Sequence, residues 1–197
     1  MVQQSQPGAA RERVLAVALD LFARHGVNGT SLQMIADEIG VTKAAVYHQF
    51  HTKDEIVRAV AAPAFERLYR ITEEAERKRR RSERAETILA GIVDLVVDNR
   101  RLSAVLQTDP AVTHIVRARP EMQDLERRIT TLLAGPDPDD DLLLGTVMVS
   151  GGLMNVATDP RLAGFDDERL RRHLLSVARR LIRLRPPPAP KEEPQVT

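Results

Sequence analysis

With 197 residues, 43% of them hydrophobic, the chain is long enough for one core-bearing domain or for a small module fused to a larger one. It contains no cysteine, which excludes a disulfide framework and a thiolate metal site and fits a reducing compartment. Met1 to Arg13 lacks the apolar run of a signal peptide, and no apolar stretch approaches the ~20 residues needed to cross a bilayer, so a soluble cytoplasmic protein is expected.

Residues 1–10 hold Pro7-Gly8 and little that can pack, and are expected to be a disordered arm. Arg11 to His25 predicts a helix. Val14, Val17, Ala18, Leu21 and Phe22 recur at helical spacing, and Gly26 is suited to end the helix in the left-handed conformation. Thr30 is expected to cap a second helix, with Gln33 completing a capping box and Leu32, Ile35, Ala36 and Ile39 turned inward. Gly40 makes a turn, and Thr42 caps a short third helix from Lys43 to about Phe50. Val41 and Val46 are expected to close over the same small core. Thr52 and Glu55 form another capping box. They open a long fourth pattern that runs towards Arg81, with Ile56, Val60, Phe65, Leu68 and Ile71 on its apolar side. Pro63 removes one backbone hydrogen bond, which predicts a kink or short break near Ala61-Ala62 and a module boundary there.

The basic run Arg77 to Arg81 has a functional reading, as a phosphate contact or address signal, and a structural one, as a solvated helix end. Acids at Glu73, Glu74 and Glu76, four residues before Arg77, Lys78 and Arg80, favour the second. Ala85 to Asn99 is apolar around much of its circumference and reads as a central, buried helix. Short helices are expected over Arg101 to Gln107 and Ala111 to Arg117. A longer one begins at Pro120, with Met122, Leu125, Ile129, Leu132 and Leu133 as its stripe. The loop Gly135 to Asp141 ends in three consecutive aspartates. They lack the alternating spacing and downstream glutamate of a calcium loop, and acids at a helix N-terminus account for them.

Leu142 to Ala157 predicts an apolar helix that carries Gly145, Gly151 and Gly152. Three glycines costing ~1 kcal/mol each need a reason, either the close approach of another helix or a ligand-lining surface. Asp166 caps a final helix to about Arg185, in which Leu170, Leu174, Val177, Leu181 and Leu184 make a heptad seam. Such a seam needs a partner helix, inside the chain or on a second copy. The proline-rich tail, residues 186–197, is expected to be disordered. No segment reads as strand, so the fold class is all-α with about nine helices.

The net charge of +1 is uninformative, and between Met1 and Ala62 six bases and six acids cancel. Any binding of a polyanion must therefore rest on the local placement of charge. The five histidines stand beside no metalloprotease, nucleophile-elbow, phosphate-loop or paired-carboxylate motif, so the chain is not expected to be an enzyme, and no metal or cofactor is implied.

The stretch Thr30 to Lys53 carries the sharper signal. Two capped helices flank Gly40-Val41, and the second is about two turns long with few core residues. It sets the small Ala44 and Ala45 beside Lys43, Tyr47, His48 and Gln49. Small side chains permit close approach to a groove, Lys43 can reach a guanine edge or a phosphate, and the Tyr47 hydroxyl suits a phosphate. Backbone N–H groups at Thr30, Thr42 and Thr52, with Lys53, suit phosphates as well. Such a pair is a helix-turn-helix that presents its second helix to DNA.

Residues Arg11 to about Ala59, with ALDLFARHG followed by TSLQMIADEIGVTKAAVYHQFHTKDEIV, resemble the DNA-binding domain of the TetR family of transcriptional regulators. The resemblance implies that Thr42 to Gln49 is the recognition helix. It places Lys43, Ala44, Ala45 and Gln49 towards bases, Tyr47 and Lys53 on phosphates, and Thr30 and Ser31 at a helix start near the other strand. Val27 stands where an aromatic residue is common, and Gln49 where a histidine is frequent.

The resemblance further implies a DNA-binding domain over residues 11–58 and an effector-binding and dimerisation domain over 59–185. The protein would be a homodimeric repressor on a palindromic operator, released by a small molecule. Candidate lining residues for an apolar effector are Leu89, Ile92, Val93, Val96, Leu106, Met122, Leu125 and Met148, with Asn155 or His114 as a polar handle. Gly145, Gly151, Gly152, Leu170, Leu174, Val177, Leu181 and Leu184 are the candidates for the dimer interface. The alternatives are a DNA-binding regulator without an effector and a helical interaction module.

Overall fold

The computed structural model describes residues 7–100, 102, 103, 105, 120–156 and 159–184, and among them every regular element is helical. Helix α1 runs Pro7–Gly29, beginning four residues before the expected start, with proline at the first position where its missing N–H costs nothing. Val14, Ala18, Leu21 and Phe22 form its buried face. Gly26 interrupts the helix at φ 71°, as its position predicted, and one more turn follows before the chain leaves.

Helix α2, Leu32–Ile39, ends in a left-handed Gly40 at φ 78°. The N–H groups of Gly40 and Val41 both reach back, to Asp37 O at 3.2 Å and Ala36 O at 3.0 Å, so the turn into α3 satisfies the last carbonyls of α2. Val41 is 40% exposed and does not join the core as expected, because this reversal carries it outward past Ala36.

Helix α3 spans Lys43–Gln49, and helix α4 spans Lys53–Arg77. The α4 helix continues through Pro63 without the expected break. Pro63 is exposed, so water can hydrate the carbonyl that its ring leaves unpaired. Arg77 and Lys78 pair with Glu73 and Glu74 at i,i+4, and the chain then turns into α5, Arg81–Asp98. Helices α6, Pro120–Ala134, and α7, Asp140–Val156, follow. A short 3-10 turn, Pro160–Leu162, leads to α8, Asp167–Leu181. The short helices expected between Arg101 and Arg117 fall largely outside the described residues.

The core divides into two clusters. One gathers α1, α2, α3 and the start of α4 around Phe22, Ile35, Val46, Phe50 and Ile56, with Val105 packed into it. The other gathers the far end of α4 with α5 to α8 around Ile88, Leu89, Val93, Leu133, Val149 and Leu170. Helix α4 belongs to both.

Polar clasps fix α4 against its neighbours. Arg67 Nη1 donates to Asp98 Oδ2 at 2.6 Å, and Arg171 of α8 holds the same carboxylate while reaching Asp94 at 3.1 Å. Glu76 accepts two hydrogen bonds from Arg128 of α6, both at 2.8 Å. The Tyr69 hydroxyl donates to Glu121 O at 3.1 Å.

The C-terminal pair is locked at one close approach. A Cβ on Gly145 would stand 2.3 Å from the Leu181 carbonyl oxygen, so this glycine serves contact within the chain. Helix α8 stops at Leu181, short of the expected Arg185. Arg183 takes a left-handed conformation at φ 54°, and the Leu184 N–H closes the end onto Arg179 O at 2.8 Å. The Arg183 guanidinium is held by Asp139 and Asp141 at the start of α7, at 3.0 and 2.6 Å. Asp139 also caps α7 through the Leu142 N–H at 2.8 Å, so the aspartate run is a cap and an ion-pair anchor. Among the described residues no group of acids or histidines could hold a metal, and no helix is long and apolar enough to cross a membrane.

Two outcomes follow for stability. Gly145→Ala should cost ~1–3 kcal/mol in thermal or denaturant unfolding, because the obstructing atom is backbone and cannot rotate away. Gly91→Ala meets Ile71 Cγ2 at the same 2.3 Å, on a stiff β-branched side chain, and should cost a similar amount. The Asp98 and Glu76 carboxyls lie below their ordinary values, chiefly through the hydrogen bonds from Arg67 and Arg128 respectively. A depressed folded-state pKa gives stability that is full above the unfolded value, about 4, and is lost as pH falls through the folded value. The Tm gap between wild type and Asp98→Asn should therefore be constant from pH 7 to about 5 and shrink below about pH 4. Both partners are more than a third exposed, so solvent screening holds the gap to about 1 kcal/mol or less.

Candidate nucleic-acid interface

Helix α3 is a short rod held by its caps and by one buried side chain. Thr42 Oγ1 accepts the Ala45 N–H at 3.2 Å, and the Phe50 N–H returns to Val46 O at 2.9 Å. Val46 is the only residue of α3 that is buried, and Phe50 follows it into the core. The other side of the helix is therefore free. Thr42, Lys43, Ala44, Ala45, Tyr47 and His48 are exposed, and Gln49 is half-buried at the end. Tyr47 is 53% exposed, and His51 packs against its ring edge-to-face, 4.9 Å between centroids.

Helix α2 supports this face but is capped by Ser31, not by Thr30. The Ser31 hydroxyl accepts the Met34 N–H at 3.1 Å and is exposed. Thr30 is buried, and its hydroxyl donates to Gly26 O at 2.8 Å, satisfying a carbonyl freed by the break in α1. The expected capping box between Thr30 and Gln33 does not form, and Gln33 bonds to Asp37 at 2.7 Å. Thr30 thus shapes the approach to α2 from inside and offers no side chain to a ligand.

Thr52 caps α4 through the Glu55 N–H at 3.1 Å. The Glu55 carboxylate returns one residue further back than a capping box requires, to the His51 N–H at 2.8 Å. Lys53 is half-buried, and its ammonium donates to Val27 O at 2.8 Å and Asn28 O at 3.4 Å. It ties the start of α4 to the end of α1, leaving one of its three donors for an external anion. The Lys53 contact had no signal in the sequence, since it depends on how α1 and α4 cross, whereas the Tyr47–His51 pair is a local i,i+4 contact.

The other predicted residues separate by depth. Leu89, Val93, Val96, Met122 and Leu125 are buried and Ile92 is half-buried, whereas Met148 and Asn155 lie on the surface and Leu106 and His114 fall outside the described residues. On α7 and α8, Gly145 and Leu170 turn into the chain's own core, and Leu174 and Leu184 pack partly against it. Val177 and Leu181 remain exposed, as do Gly151 and Gly152, where an added Cβ would meet nothing within 4 Å. The heptad seam straddles two faces because α8 alternates between its own core and the outside.

Residues 14–60 match the family model described as bacterial regulatory proteins, tetR family. The N-terminal module is that of the TetR family. A TetR-type module of this kind is shared with the HTH-type transcriptional repressor KstR2 of Mycolicibacterium smegmatis, 36% identical over 56 residues, 28% of this chain and 27% of that one. The HTH-type transcriptional regulator SrpR of Pseudomonas putida is 42% identical over 52 residues, 26% of this chain and 24% of its own. The chain thus spans about a quarter of the length of these relatives. The fold extends further. The ketosteroid transcriptional regulator KstR2 of Mycobacterium tuberculosis superposes with a TM-score of 0.68 at 18% identity, covering 88% of this chain and 95% of that one. SCO3833, a TetR-family member from Streptomyces coelicolor A3, gives 0.67 at 23% identity, covering 86% and 89%.

Removing the α3 cap tests whether local helix order governs this face. Thr42→Ala should cost ~1 kcal/mol of stability, with loss of helical content at α3 seen as faster amide exchange from Ala45 to Gln49.

Proposed function

We propose that the protein is a DNA-binding transcriptional regulator, a repressor that binds a palindromic operator as a homodimer and is released by a small apolar effector. The observation that carries the reading is α3, a capped helix with a single buried residue and an outward face of small, cationic and hydroxyl-bearing side chains. On this reading Ala44 and Ala45 let the helix enter the major groove, Lys43 and Gln49 meet base edges, and Tyr47 takes a phosphate. Ser31 and Thr42 bring helix N-termini to the backbone, each with unpaired N–H groups suited to anions.

The dimer reading is supported by α7 and α8. Leu143, Leu144, Val147, Met148, Val177 and Leu181 are exposed there, with Leu144 and Val147 each 60% accessible. An apolar face of this kind, with Gly151 and Gly152 allowing close approach, fits a second copy of the same surface. Two modules would then meet successive major-groove faces of a two-fold site.

The effector reading is supported by the mutual packing of α4, α5 and α6 around Leu89, Val93, Val96, Met122 and Leu125. A hydrophobic molecule inserted there displaces α4, and α4 carries the DNA module. It need favour the displaced state by only a few kcal/mol to release DNA.

Selection of bound DNA from a random library should return a palindrome. Lys43→Ala should then relax preference at one position of each half-site by ~1–3 kcal/mol, while Tyr47→Phe should weaken all sites alike. Recovery of no sequence preference at low salt would sink the proposal, and identical behaviour of the two variants would overturn the split between base and phosphate roles.

A further inference from the structure

The charges of the N-terminal module cancel in number, but they are not equally committed. Arg13 donates to Ile39 O at 3.4 Å, Arg24 pairs with Glu38 at 3.2 Å, and Lys53 holds the carbonyls of Val27 and Asn28. Among the described residues Arg11, Lys43 and Arg58 make no hydrogen bond or ion pair. Lys43 stands at the N-terminal end of α3. The other two meet at its far end, where α1, α3 and α4 enclose one open groove of about 430 Å³.

Arg11 and Arg58 line that groove together with Gln49, Phe50 and Glu55, over the small side chains of Ala59 and Ala62. The Arg11 guanidinium lies over the Phe50 ring, 4.9 Å from its centroid. Phe50 is only 3% exposed, so this platform is fixed, and a cation held over it keeps its N–H edge free for an anion. The one carboxylate in the groove, Glu55, is committed to the His51 N–H. What remains open is a pair of guanidinium groups, one of them preorganised, beside the residue that ends α3.

We propose that this groove is a phosphodiester site. Arg11 and Arg58 grip the sugar-phosphate backbone of double-stranded DNA beyond the bases met by α3, so that cations flank α3 at both ends. The inference rests on the DNA-binding reading above. It adds two residues and a second stretch of backbone to the contact surface. Guanidinium groups suit phosphate oxygens by their forked donors, and an open groove admits a continuous strand where a closed pocket would admit only a free ion.

The test measures operator affinity across a salt series for wild type, Arg11→Ala, Arg58→Ala and the double variant, using the library-selected site. With both subunits engaged, the double variant should make the log–log salt dependence shallower by about 3 to 4, at about 0.9 for each phosphate no longer neutralised, while base preference stays unchanged. Arg11→Lys with Arg58→Lys should restore most of the slope, which separates charge from folding. Arg79→Ala, an exposed arginine on the α4–α5 turn, should change nothing. Inorganic phosphate added at constant ionic strength should compete no better than chloride; strong competition by phosphate, abolished in the double variant, would make the groove a free-anion site and overturn the proposal. A double variant with the wild-type slope would overturn it too. Were the wild type itself to show no specific binding, the DNA reading would fail and not this groove alone.

Discussion

Helix α4 is one continuous helix of 25 residues, and its two ends lie in two different cores. Ile56 and Val57 close the core under α3, while Ala75 lies in the core with α5 to α8. A break at Pro63 would have let the two cores move independently. Because the proline faces solvent and the helix runs through it, any rotation of α4 at one end is felt at the other. The placement of the α3 face therefore depends on what holds the distal half of α4.

That hold is made by a few directed contacts on top of apolar packing. Arg67, Tyr69 and Glu76 point to three separate anchors on α5 and α6, spaced along more than two turns of α4. Asp98 serves two arginines, one on α4 and one on α8, so α8 is joined to α4 through a single carboxylate. At Gly91 of α5 the Ile71 side chain of α4 lies so near that an added Cβ would meet its Cγ2 at 2.3 Å. Close packing of this sort has few alternative arrangements, and a shift of one helix moves its neighbour as a unit. Val105, beyond α5, is buried in the N-terminal core and adds a second connection between the two halves.

How far the sequence can be read follows the range of each interaction. Caps at Thr42, Thr52 and Asp166, the left-handed Gly40 and the helical stripes are all legible, because their partners lie within four residues. Thr30 and Ser31 show the limit. Either hydroxyl can cap a helix, and the choice falls to Ser31 because the break at Gly26 leaves a carbonyl that buried Thr30 can satisfy. The glycines of α7 show the same limit. A helix that is apolar all round gives no phase, so nothing in the sequence tells Gly145, pressed against Leu181, from Gly151 and Gly152 in open space. Met148 reads as inward for the same reason and lies outward at 55% exposure. Lys53 reads as a free cation, and its engagement with Val27 and Asn28 comes from residues more than twenty positions away.

The exposed large apolar side chains of the described residues fall in two places only. Val41 and Tyr47 stand at α3, and Leu143, Leu144, Val147, Met148, Val177 and Leu181 stand on α7 and α8. A surface of this kind costs solvation unless it is covered, and singly scattered residues would need no account. The two places are chemically unlike. At α3 the apolar groups are interleaved with Lys43, Thr42 and His48, which suits a partially hydrated polyanion. On α7 and α8 they are contiguous at helical spacing, which suits a dry helix face. Weak polar contact at one site and strong apolar contact at the other divide the work under the proposed reading. On that reading the apolar face would hold two copies together without regard to DNA, and that fixed pairing would let a module of zero net charge bind at two half-sites where one alone would hold poorly.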